Sequence, residues 1–307
     1  MSAPVKVAVV GPTASGKSEL ALALAQKLRG EVVNADSMQV YRGMNIGTAK
    51  LSHTQRLDVP HHLLDIWPVT KAASLAEYQQ MALAVVNHLT ESAVTPLLVG
   101  GSGMYVQAVV DEWEIPGTDA EVRARLESEL KERGVDSLYQ RLRVVDPEAA
   151  AAILPSNERR IVRALEVVEL QGSFSATLPT PRLAESWVLV GLDVPRPVLD
   201  QRIERRVHRM WEQGLVAEVR DLVDQGLREG VTASRALGYA QVLQFLQGQT
   251  SEEQAREQTV VATRRFARRQ LSWFRRDPRI QWLTAPSESP GSETVKAALG
   301  AIESITA

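Results

Sequence analysis

Val7-Ala8-Val9-Val10-Gly11-Pro12-Thr13-Ala14-Ser15-Gly16-Lys17-Ser18 reads as a buried strand running straight into a phosphate-binding loop. The loop matches G-x-x-x-x-G-K-[ST] in full. Gly11 and Gly16 allow a tight turn that exposes backbone N–H groups, Lys17 brings a point charge, Ser18 can reach a magnesium ion, and the helix that follows adds its positive N-terminal dipole. Such a chain handles a diphosphate or polyphosphate. The carrier of the phosphate, a nucleotide or another ester, stays open at this level.

Outward from the loop, 307 residues predict one large or two ordinary domains with ample length for a core. A composition of 44% hydrophobic and 23% charged residues excludes wholesale disorder. The net charge of -2 hides uneven placement, so local basic runs carry more information than the total. With no cysteine, disulfides, thiol nucleophiles and cysteine-ligated metal sites are excluded. The N-terminus enters a strand almost at once and no long apolar run follows, which predicts a cytoplasmic protein with no membrane partner.

Val5 to Val10 is a β-branched run suited to a parallel strand buried on both faces, and Ser18 to Leu28 is its crossover helix. Glu31 to Asp36 reads as a second strand, taken to neighbour the first, whose carboxyl end delivers Asp36 and Ser37 where open α/β sheets bind ligands. Ser74 to Leu89 starts with a Ser74/Glu77 capping box. Pro96 to Val99 is a third strand, ending in Gly100-Gly101-Ser102-Gly103 before a helix from Met104. That glycine turn either offers a second anion-friendly surface or serves packing alone.

From Ile115 the texture changes to charged and helical, so residues 114–186 read as an inserted all-helical domain within a core made of 1–113 and 187–307. Its helices are expected at Ala120 to Arg133, Asp136 to Val144, Pro147 to Ile153 and Asn157 to Leu170, with a polar return over 172–186. Trp187 to Asp193 resumes the sheet. Helices then run from Arg196 to Gln213, Leu215 to Gln225, Gly238 to Leu246 and Ser251 to Phe274, and the tail after Pro286 reads as weakly structured. The fold class is α/β: a P-loop NTPase-like parallel sheet flanked by helices, with the helical insertion.

Two chemistries fit a diphosphate cradle facing a carboxylate. A small-molecule kinase or NTPase would hold magnesium with Asp193 at the end of the fourth apolar run. Alternatively diphosphate itself leaves, and Asp36 takes a proton from the incoming nucleophile. An Asp-Ser pair after a strand also serves as a simple turn or cap. The arginine runs on the late helices fit either a solvated face or, with Phe266, Trp273 and Phe274 interleaved, nucleic acid.

Further along, ordered blocks resemble the tRNA dimethylallyltransferase (tRNA isopentenyltransferase) family in its bacterial form. They are Gly11 to Ser18, Asp36-Ser37-Met38-Gln39-Val40-Tyr41, Gly47-Thr48-Ala49-Lys50, Pro60-His61-His62-Leu63-Leu64-Asp65, Leu98 to Tyr105, Arg160 to Glu166, Gln201 to Val207, Ala236-Leu237-Gly238-Tyr239 and Arg268 to Arg275. The resemblance implies transfer of a dimethylallyl group from dimethylallyl diphosphate to N6 of the adenine 3′-adjacent to the anticodon (position 37) of tRNA, with Mg2+. By that similarity Asp36 is the general base, Ser102 hydrogen-bonds the bridging oxygen, and Arg206 joins Lys17 and Ser18 on the diphosphate held by Gly11, Pro12, Thr13, Ala14, Ser15 and Gly16. It also implies that Asp36, Ser37, Met38, Gln39, Arg123, Arg159, Arg160, Arg163, Arg235, Gly238, Tyr239, Arg268 and Arg269 meet the anticodon stem-loop of the tRNA, and that the protein acts as a monomer. Serine at 102 replaces the family's threonine, Ala240 stands where the family carries Lys or Arg, and the cysteine-free chain lacks the zinc finger of eukaryotic relatives.

Overall fold

Apolar runs separated by glycine turns and helices build a parallel sheet, because parallel partners need long crossover connections between them. The computed structural model describes residues 4–177, 179, 187–285 and 291–306. Its elements open with β1 (Lys6–Val10), α1 (Lys17–Leu28), β2 (Gly30–Asn34), β3 (His61–His62), α2 (Leu75–Glu91), β4 (Thr95–Gly100) and α3 (Gly103–Val110). Three helices follow, α4 (Ala120–Val145), α5 (Pro147–Ala152) and α6 (Glu158–Gln171). The chain then returns through β5 (Trp187–Asp193), α7 (Arg196–Glu212), α8 (Leu215–Asp224), α9 (Tyr239–Leu246), α10 (Glu252–Phe274), β6 (Gln281–Thr284) and α11 (Ser292–Thr306). Contacts divide it into two compact units, Met1–Glu112 with Leu183–Ala307, and Trp113–Arg182.

In the first unit the described strands form one parallel sheet in the order β3-β2-β4-β1-β5-β6. This corrects the expectation that β2 neighbours β1, because β4 lies between them. Asp36 therefore reaches the phosphate loop across the end of β4, and glycine makes that crossing possible. A Cβ on Gly100 would fall on the backbone of Ala35, far inside contact distance. The strand centres are fully buried on both faces: Ala8, Val10 and Leu98 face one hydrophobic cluster, while Val7, Val9 and Leu97 face another.

Two short edge strands, β3 and β6, have too few residues to show a period and were not legible. The tail is also corrected. Residues 286–290 lie outside the described residues, but α11 is a helix whose Ala298 and Ile302 are buried in the second cluster beside Val295 and Leu299. That spacing is a helical stripe which the polar Ser-Pro-Gly lead-in obscured. At α2 the Ser74 hydroxyl accepts from the Glu77 N–H at 3.3 Å, yet the Glu77 carboxylate turns to Lys71 at 2.5 Å, so only half of the expected box forms.

The second unit packs α4, α5 and α6 around Leu126, Leu138, Leu142, Ile161 and Leu165. α4 is broken at Gly134 (φ 76°, ψ 169°), the point where two separate helices were expected. Asp119 and Asn157 cap the N-termini of α4 and α6. Of the return over 172–186, residues 178 and 180–186 lie outside the described residues. Substitution Gly100→Ala should force Ala35 away and cost about 2–3 kcal/mol of stability. Urea unfolding checks it: the midpoint should fall with the slope unchanged.

Candidate active site

Glycine conformations shape the loop after β1. Gly11 takes φ 141°, where a Cβ would crowd the Leu192 backbone and the Ser15 hydroxyl, and Gly16 takes φ 95° as it caps α1. Ala14 is held left-handed at φ 63°. Residues Thr13 to Ser18 line a cleft together with Asp36, Gln39, Thr48, Arg206 and Gln270, and Val32, Leu51, Leu64 and Val99 give it an apolar part. The cleft stands at the carboxyl ends of the strands, where helix and loop N–H groups favour an anion.

Two cations dominate its electrostatics. Lys17 folds back so that its ammonium donates to the Pro12 carbonyl at 2.6 Å. Burial pushes its pKa down to about 8, Arg206 adds to that, and Asp36 and Glu19 oppose it. Arg206 donates to the Thr13 hydroxyl at 3.2 Å and is likewise lowered, by burial first and Arg209 second. Both cations are held at a cost that an incoming anion would relieve.

Asp36 is placed by backbone and amide contacts. Its N–H donates to Asn34 Oδ1 at 3.0 Å and its Oδ1 accepts from the Met38 N–H at 2.9 Å, while Asn34 Nδ2 donates to the Asp36 and Leu63 carbonyls. Ser102 Oγ accepts from the Ser37 N–H at 3.0 Å and donates to Ser37 Oγ at 3.1 Å. The loop beyond is clamped by Glu218, whose carboxylate accepts from the N–H groups of Asn45, Ile46 and Gly47 and from the Tyr239 hydroxyl at 2.6 Å. Gln39 Nε2 donates to the Thr48 carbonyl, and buried Lys50 donates to Tyr41 O and Asp65 Oδ1.

A family model described as IPP transferase matches residues 39–277. The chain belongs to that family. A protein of Salinispora arenicola named tRNA dimethylallyltransferase is 61% identical over 297 residues, covering 96% of this chain and 86% of its own length. One of the same name from Streptomyces avermitilis is 63% identical over 283 residues, covering 92% and 91%. Among solved structures, the tRNA isopentenylpyrophosphate transferase of Bacillus halodurans is 38% identical with TM-score 0.72, covering 99% of this chain and 98% of that one. A eukaryotic dimethylallyltransferase solved acting on tRNA is 25% identical with TM-score 0.77, covering 92% and 74%.

Within this IPP transferase fold, the residues singled out from the sequence separate by position. Thr13 to Ser18, Asp36, Gln39 and Arg206 share the cleft. Gly11 and Pro12 are buried behind it, and Ser102 sits just past the lining residue Gly101 with its hydroxyl turned to Ser37. Arg235, Arg268 and Arg269 are exposed. The expectation that Gly238 and Tyr239 face RNA is corrected: both are buried, Tyr239 completely, because the tyrosine closes the Glu218 clamp. The glycine turn is used for packing, since a Cβ on Gly101 would strike Gln270 and one on Gly103 would strike Trp273.

In the second unit Arg159 and Arg160 are exposed, whereas Arg123 and Arg163 converge on the fully buried Glu166. Burial would raise that carboxyl, but hydrogen bonds from the two arginines hold it below the usual range. Arg163 also donates to Pro116 O and Gly117 O, so its guanidinium is spent on the fold. Asp193, the alternative magnesium ligand, pairs with Arg275 at 3.2 Å and is absent from the cleft lining. Glu218 and Gln270 were missed as site residues; one lies in an ordinary amphipathic helix and the other beside arginines that drew the attention.

Among the described residues no group of three or more His, Asp or Glu side chains is placed to hold a metal alone. Magnesium needs less, because it keeps several waters and takes one or two protein oxygens plus phosphate oxygens. Ser18, in the first turn of α1 and lining the cleft, fits that requirement.

Lys17 also sets a pH dependence. Its folded pKa of about 8 lies below the unfolded 10.5, so the unfolded chain binds the extra proton between them. Taken alone, this group makes the unliganded protein more stable as pH rises through that window. Binding of a diphosphate ester should weaken as pH rises through about 8, and Lys17→Met should flatten the profile. Calorimetry across that range, in buffers of different ionisation enthalpy, reads both the affinity and the proton uptake.

Proposed function

We propose that this chain transfers a dimethylallyl group from dimethylallyl diphosphate to N6 of the adenine 3′-adjacent to the anticodon in tRNA, releasing diphosphate. Family membership and the high identity of curated tRNA dimethylallyltransferases support the reaction. The observation that carries the mechanism is the placement of Asp36 in one cleft with Lys17 and Arg206. A carboxylate faces a cationic cradle, and the strand end between them, at Gly100 and Gly101, bears no acid.

In this reading the N6 lone pair attacks the dimethylallyl carbon bonded to oxygen. The C–O bond breaks toward diphosphate, and Asp36 takes the proton released from N6. Lys17, Arg206 and the N–H groups of residues 14–18 stabilise the charge that grows on the leaving group. Ser102 would serve the bridging oxygen by swinging its hydroxyl hydrogen away from Ser37, and without threonine's methyl its χ1 rotamer is less restricted. Ser18 with phosphate oxygens would hold Mg2+, which when bound adds further charge neutralisation.

An adenine stacked in a loop must be extruded before such an attack. Exposed Arg159 and Arg160 of the helical insertion, and Arg235, Arg268 and Arg269 of the first unit, are the arginines we assign to the stem-loop phosphates. No helix among the described residues is long and apolar enough to cross a membrane. We place the reaction in the cytoplasm and assign it to a monomer.

The test mixes the protein, magnesium, dimethylallyl diphosphate and an anticodon stem-loop and measures the mass of the adenine. Addition of one dimethylallyl group is expected; no product on any tRNA overturns the reading. Asp36→Asn keeps the oxygen that accepts from Met38 and should lower turnover by roughly two orders of magnitude with both substrates still bound. Single-turnover kinetics with separate binding titrations checks it, and unchanged turnover removes Asp36 from the role.

A further inference from the structure

Two polar side chains interrupt the buried stripe of α10: Thr259, which bonds within its own helix to the Ala255 carbonyl, and Gln270, whose partners lie outside it. Gln270, 6% exposed, lies between Ala267 and Phe274 on the inward face of the helix. Its Oε1 accepts from the Thr13 N–H at 2.9 Å and its Nε2 donates to the Gly101 carbonyl at 2.9 Å. The partners fix the amide: an N–H only donates and a carbonyl only accepts, so the flipped orientation would lose both bonds. Thr13 passes the constraint on, because its hydroxyl accepts from Arg206. Gly101 has no space for a side chain because the Gln270 amide occupies it.

The two loops joined in this way are far apart in sequence and chemically distinct. Thr13 begins the lining of the cationic cradle; Gly101 belongs to the turn that crosses beside Ala35 and carries Ser102. Gln270 also takes up the Thr13 N–H, which leaves the N–H groups farther along the loop to receive an anion. We propose that Gln270 is a positioning residue for the transfer, fixing the distance between the diphosphate cradle and the Gly100–Ser102 turn next to Asp36. The proposal rests on the prenyl-transfer reading for its reaction and on the two hydrogen bonds for its geometry.

The substitutions Gln270→Met and Gln270→Glu separate this role from plain core filling. Met preserves length and loses both bonds. Glu keeps the acceptor for Thr13, but when ionised it sets a negative oxygen against the Gly101 carbonyl and beside the cradle; protonation restores a donor there. Three readouts are taken on the full chain beside the unsubstituted protein: calorimetric binding of inorganic diphosphate, kcat and KM for each substrate, and thermal melting.

Expected for Gln270→Met is about a tenfold loss of diphosphate affinity and a matching rise in KM for dimethylallyl diphosphate, with KM for the stem-loop within about twofold. For Gln270→Glu, activity relative to the unsubstituted protein should recover as pH falls and the new carboxyl gains its proton. Diphosphate binding by the Met variant within about twofold of the original overturns the proposal. So does a Glu variant whose relative activity is flat with pH, or a Met variant whose only change is a fall in apparent kcat that follows loss of folded protein, with both KM values unmoved. If the unsubstituted protein binds diphosphate and transfers nothing, the reaction fails while the binding comparison still decides the brace.

Discussion

Backbone crowding at the carboxyl end of β4 is the constraint on which the site depends. Gly100 has no Cβ because Ala35 lies against it, and Gly101 has none because Gln270 does. These two absences let the segment after β2 fold across the intervening strand and bring Asp36 into the cleft that begins at β1. The sheet order and the site geometry are thus one problem. With β4 between β2 and β1, any side chain at its end would hold the carboxylate and the cradle apart.

In the proposed reaction the charge of the cleft meets a ligand that is negative before and after transfer. Lys17 and Arg206 are both lowered by burial, while Asp36 lies close enough to each to oppose that shift. A cradle of this kind gains most from a group whose charge increases as it leaves, since buried cations interact strongly and are already fixed in place. In the other unit the same physics serves structure: Arg123 and Arg163 neutralise Glu166, which is wholly buried. Identical residue types thus divide between site and scaffold according to what is buried beside them.

Much of the sheet was legible because buried parallel strands carry continuous apolar runs bounded by glycine, as at Val7 to Val10 and Leu97 to Val99. The helices read from Ala120, Asn157 and Ser251 start where expected, and the structure adds their caps, with Asp119, Asn157 and Ser251 accepting from N–H groups of the first turns. β3 and β6 were too short to show a pattern, and α11 was hidden behind a polar lead-in. Tyr239 was expected at the RNA through the family resemblance of the block Ala236-Leu237-Gly238-Tyr239. Its burial follows from Glu218, 21 positions away, which a linear reading does not connect to it.

By itself the sequence determined the phosphate loop, the carboxylate after the second strand, the helical insertion and, through ordered motifs, the family resemblance. These are local patterns or strings whose chemistry is carried by residue type and spacing. Only the tertiary structure decided which strands are neighbours, which arginines are spent on buried carboxylates, and why Gly101, Gln270 and Thr13 act together. Those depend on contacts across 169 and 257 positions of chain, where one hydrogen bond or one missing Cβ leaves no periodic trace in the sequence.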